Sequence, residues 1–140
     1  MTTRADNSGG STSQFYNQWD TPNDWNFASA AGGILSNTTT AVTVKAAASA
    51  VANVTQRNYI TSFQIISTAL GAATEFCIRD GAGGTVLYRH PVTTAGLTSG
   101  YCVTFDTPLR STAGTLLEVV TLQATVTGSF AFNCQGYTGP

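Results

Sequence analysis

Charge is scarce in this chain. Of its 140 residues, 6 are Lys or Arg and 7 are Asp or Glu, for a net charge of −1. That scarcity excludes whole classes of function. A nucleic-acid binder needs a basic patch to neutralise phosphates, and the cations here, Arg4, Lys45, Arg57, Arg79, Arg89 and Arg110, are scattered along the sequence. No stretch approaches the roughly 20 apolar residues a membrane helix requires. Neither nucleic acid nor membrane is therefore expected as a partner. The opening residues, MTTRADNSGGSTSQ, hold no apolar run of the signal-peptide kind. The expectation is a product made in the cytoplasm that leaves only as part of a larger particle.

Groups that do chemistry are equally sparse. His90 is the only histidine and precedes Pro91, so it has no second imidazole to work with and reads as a strand-end residue. A glycosidase needs two carboxylates facing across a cleft. From Trp25 onward the acids are Glu75, Asp80, Asp106 and Glu118. Asp80 and Asp106 read as turn residues. Glu75 and Glu118 read as strand residues paired with Arg79, Arg57 or Arg110. Asp80-Gly81-Ala82-Gly83-Gly84 is not a phosphate loop, which needs a following Lys-Ser/Thr and a helix. It has too few carboxylates for calcium. It suits a hairpin turn, with Asp80 accepting N–H groups of that turn and the glycines supplying positive φ. Cys77, Cys102 and Cys134 are isolated, without the close pairs of a metal site. They suit small buried residues in a reduced compartment, free and unmetallated. No catalytic residue, cofactor or metal is expected, and the chain reads as a non-enzyme.

What the chain has in quantity is threonine, 24 residues of it. Threonine is β-branched, fits a pleated strand, and wets a solvent face without charge. Apolar alternation marks strands near Trp25–Ser29, Thr40–Lys45, Tyr59–Ile66, Thr74–Arg79, Thr85–His90, Tyr101–Phe105, Thr115–Leu122 and Ser129–Tyr137. Turn signals recur every eight to twelve residues or so. Residues 46–54 read as a loop with one helical turn, 91–100 and 106–114 as crossing loops, and Gly136 as the break of the last strand. Tyr59, Thr61, Phe63 and Ile65 fall on one face of their strand, with Ile60 and Ile66 on the other. The expected fold is all-β: an antiparallel β-sandwich of jelly-roll or Greek-key type, of about eight strands. Its expected core is Phe63, Ile65, Phe76, Ile78, Phe105, Leu117, Val119, Phe130 and Phe132.

Residues 1–24 differ in kind from the domain at 25–140. They are rich in Ser, Thr, Asn and Gly, yet carry Phe15, Tyr16 and Trp19. Two readings stay open: a loose leader, or an extended N-terminal arm whose three aromatics dock on a neighbouring surface.

Several segments form a pattern: Trp25-Asn26-Phe27-Ala28 before Gly32-Gly33-Ile34, the hairpin Arg79-Asp80-Gly81-Ala82-Gly83-Gly84-Thr85-Val86-Leu87, the turn Pro108-Leu109-Arg110-Ser111-Thr112, and the closing Gln135-Gly136-Tyr137. Over about Trp25 to Tyr137 the chain resembles small virion proteins of tailed phages, of the capsid decoration or cement type. The resemblance implies a structural role on the head exterior. It implies two partners, the major capsid protein and further copies of the chain as a dimer or trimer. It brings no catalytic residue. A tail-fibre or receptor-binding jelly roll that holds glycans is the alternative.

Overall fold

The structure, a computed structural model, describes residues 23–29, 35–36, 39 and 41–140. The calls on Phe15, Tyr16 and Trp19 lie outside the described residues. Among the described residues nine strands follow in order: β1 (Asn23–Ala28), β2 (Leu35–Ser36), β3 (Val42–Lys45), β4 (Arg57–Ser67), β5 (Thr74–Asp80), β6 (Thr85–Val92), β7 (Tyr101–Arg110), β8 (Leu117–Thr121) and β9 (Ser129–Gly139). One sheet runs β1-β9-β4-β7, with β2 also on β9, and the other runs β3-β8-β5-β6. All pairs are antiparallel.

The pairing is nested. β5 pairs β6, β4 pairs β7, β3 pairs β8, and β1 pairs β9. That is one long hairpin with its tip at residues 81–84, rolled into two sheets. The fold is a jelly-roll β-sandwich.

The core lies between the sheets. Phe63, Ile65, Phe76, Ile78, Leu117, Val119, Phe130 and Phe132 are all buried there, joined by Val44, Ile60, Leu70, Val92 and Cys134. Phe105 is only half-buried and packs against the cluster from the edge strand β7.

A β-bulge in β4 overturns the expected facing of that strand. The register slips between Ile60 and Ser62, leaving Thr61 unpaired. One extra residue shifts the two-residue period by one. Ile60 and Phe63, three apart, therefore both point into the core. Tyr59 does not join Phe63; it stacks on Tyr137 with ring centroids 4.6 Å apart. The partner strand β7 is looser still. Leu109 lies opposite Ile60 and Thr104 opposite Ser62, so residues 105–108 bow out across from Thr61.

Other boundaries also move. β7 runs through Pro108 and β6 through Pro91, where loops were expected. Both are edge strands, where a missing N–H breaks no ladder bond. Gly136 does not end β9, which continues to Gly139. A Cβ there would sit 2.0 Å from the Tyr59 carbonyl oxygen and 2.6 Å from the Trp25 ring. The glycine permits close approach of β4 and Trp25 rather than a break. Residues 46–54 form no helical turn. Val51 and Val54 exchange backbone hydrogen bonds of 3.0 and 2.8 Å around Ala52 and Asn53, both at positive φ.

Candidate interaction surfaces

The few charged groups of the domain are mostly occupied within it. Glu118 is 5% exposed, on the outer face of β8. It accepts from both Nε and Nη2 of Arg79 on β5 and from the backbone N–H of Gly83 at 2.9 Å. Glu75 pairs with Arg89 at 3.2 Å. The expected pairing holds for Glu118 with Arg79, whereas Glu75 takes Arg89 in place of the expected Arg79, Arg57 or Arg110. The reason is register: β5 lies between β6 and β8, and Arg79 faces Glu118 directly.

Asp80 acts differently from the expectation. Its carboxylate does not cap its own turn. It accepts from the Thr112 backbone N–H at 2.9 and 3.0 Å, from the Thr112 hydroxyl at 2.6 Å, and from the Thr115 hydroxyl. The 111–116 loop is thus stapled to the β5–β6 hairpin, and Gly81 N–H adds a bond to the Leu116 carbonyl at 2.8 Å. It is Glu118, from a strand 35 residues on, that accepts an N–H of the tight turn.

Burial pushes the Asp80 carboxyl up. The Thr112 and Thr115 hydroxyls, the Thr112 N–H and the charge of Arg57 together outweigh it, and the pKa lies below the ordinary value. A depressed native pKa stabilises the fold above the unfolded value and is lost as pH falls through the native one. Asp80→Asn is therefore expected to cost roughly 1–3 kcal/mol at neutral pH. Urea titrations of both proteins should show that gap narrowing below about pH 4. A gap constant down to acid pH would contradict this role.

The three thiols are free. Cys134 faces the core, and burial raises its pKa to about 12. Cys77 is buried on the outer side of β5. Burial raises its pKa, Arg89 opposes, Glu75 adds, and Arg79 opposes. Cys102 corrects the expectation that all three are buried. It lies opposite Gln64 on an edge strand and is exposed, because its neighbour Val103 takes the inward direction.

His90 stacks on Tyr101 with ring centroids 4.3 Å apart. Tyr88 meets Phe105 and Phe63 edge-on at 5.8 and 5.0 Å. These rings close the open side of the sandwich, where edge strands β6 and β7 both end their sheets. Burial, together with Tyr101, raises the Tyr88 phenol to about 12. The geometry gives His90 an aromatic neighbour, and sequence spacing held no signal for that contact across two strands.

The outer face of the β1-β9-β4-β7 sheet carries a shallow trough of about 470 Å³. The side chains of Asn26, Ser62, Gln64, Thr104, Asn133 and Gln135 line it, with Cys102 at its edge. None is charged. Asn26 and Gln135 continue into a second hollow of about 360 Å³ beside Trp25, Thr61 and Tyr137. The trough offers amides, hydroxyls and the Cys102 thiol, and the second hollow adds the Asp24 carboxylate. Sequence reasoning missed the trough, because its polar residues come from four strands that are far apart in the chain.

No family model matches the chain, and no curated protein does. Among solved structures it is similar to the VP2 subviral particle of infectious bursal disease virus, at 13% identity and a TM-score of 0.22. The match covers 85% of this chain and 30% of that one. At that level the likeness carries nothing about what this chain binds.

Proposed function

We propose that the chain is a structural protein of a virus particle, a bacteriophage head decoration or cement protein that binds the outer capsid surface and catalyses nothing. One observation supports this reading most. The ionised side chains Arg79, Glu118, Glu75, Arg89 and Asp80 are engaged inside the domain, and the trough on the other sheet is lined by amides and hydroxyls, with Asp24 in the hollow beside it. Amides and hydroxyls cost less to desolvate than ions when the partner surface pairs them. Repeated over many copies, individually weak contacts hold a shell by avidity. The proposed partners are the major capsid protein and further copies of the chain, as a dimer or trimer. Phe15, Tyr16 and Trp19 of the arm would add contacts to a neighbouring copy or the shell.

The reading is tested on virions made without the protein. They should release DNA at a lower temperature than the parent, and added purified protein should restore the parent value. Unchanged heat release would overturn it. The second reading, a receptor-binding module for neutral glycans, draws on the trough itself. Side-chain amides and hydroxyls are the groups that pair with sugar hydroxyls.

A further inference from the structure

We infer that one end of the sandwich, the crown formed by the β4–β5, β6–β7 and β8–β9 loops, is the pole that docks on the shell, with Val126 as its anchor. The inference rests on the decoration reading and names the surface it uses.

Residues 68–73, 93–100 and 122–128 contain no Asp, Glu, Lys or Arg. The opposite end is flanked by Lys45, Arg57, Asp80 and Arg110. The two ends therefore differ in charge, and the crown fits an uncharged protein surface.

The crown is also pre-organised. Leu70 N–H donates to Thr94 O at 2.8 Å, Ser67 N–H to Leu97 O at 3.1 Å, Thr68 N–H to Ser129 O at 3.1 Å, and Gly71 N–H to Thr127 O at 3.2 Å. Thr74 and Gln123 exchange two further bonds. A Cβ on Gly96 would lie 2.2 Å from Thr68 O, and one on Gly128 2.5 Å from Ala69 O. Loops cross-linked this closely lose little freedom on binding, which favours affinity.

Val126 stands at the tip. Thr127 N–H donates to Thr125 O at 2.7 Å around it, and its φ is +66°. This is the rare, strained form of γ-turn, and a β-branched residue is poorly suited to it. Its side chain is 64% exposed, more than Ile66 at 44%, Val51 at 38% or Tyr101 at 37%. Glycine would relieve the strain and remove the exposed apolar group. Stability alone gives no reason for valine here; an apolar contact made outside the domain does. The site it fits is a shallow apolar pit in a neutral protein surface.

The test uses full-length protein and purified shells assembled without it, read by co-sedimentation. Val126→Gly should keep or raise Tm while binding roughly tenfold or more weakly, the scale of one buried valine. Val51→Ser, at the opposite end, should bind like the parent. If the parent itself fails to bind shells, the decoration reading falls and this one with it. If the parent and Val126→Gly bind alike, or both variants weaken equally, the crown is not the docking pole while decoration stands. A lower Tm for Val126→Gly would overturn the strain argument and with it the anchor.

Discussion

Phe132→Ala is expected to cost about 3–5 kcal/mol of folding stability, a large share of the 5–15 kcal/mol typical of a domain. Phe132 sits on β9, the strand between β1 and β4. It is fully buried. Its ring lies 5.5 Å from that of Phe63 in its own sheet and 5.2 Å from that of Phe76 in the other. It also meets Phe27 at 6.4 Å. Removing it opens a cavity that neighbours on two hydrogen-bonded sheets cannot collapse to fill. Urea denaturation should show a much lower midpoint with an unchanged slope. A loss below about 1 kcal/mol would mean that this ring does not join the sheets.

The second large effect is expected at Glu118. Glu118→Gln removes the carboxylate that Arg79 and Gly83 N–H both use. The Glu118 side chain is 6% exposed and that of Arg79 18%, so the guanidinium is left without its counter-charge in a mostly dry setting. Breaking such a pair costs on the order of 3 kcal/mol. The double variant Arg79→Met/Glu118→Leu should recover much of that loss, because neither charge then remains to be solvated. Equal stability of the single and double variants would show that the pair contributes no such coupling.

The fold was legible because its strands alternate and its turns are rich in glycine. Phe76 and Ile78, or Phe130 and Phe132, are two apart and face inward on sequence pattern alone. The places where the pattern misled have physical causes beyond local sequence. The slip at Thr61 hides the partnership of Ile60 with Phe63, since a bulge leaves no compositional mark there. Pro91, Pro108 and Gly136 look like breakers, yet two sit on edge strands and the third admits Trp25 and the Tyr59 carbonyl. Asp80 looked like the cap of its own turn, but the threonines that satisfy it are more than 30 residues away. The neutral trough and the crown were illegible for the same reason. Both assemble short stretches of distant strands or loops, and only the nested pairing brings them together.

The claim that this jelly roll decorates a head exterior is tested most directly by a difference map. Electron cryomicroscopy of particles with and without the protein supplies it. The account predicts sandwich-shaped density at repeated lattice positions on the outer shell, lost in the particles without the protein, with the 68–73, 93–100 and 122–128 end against the capsid. Difference density confined to the tail, or none at all, would contradict it.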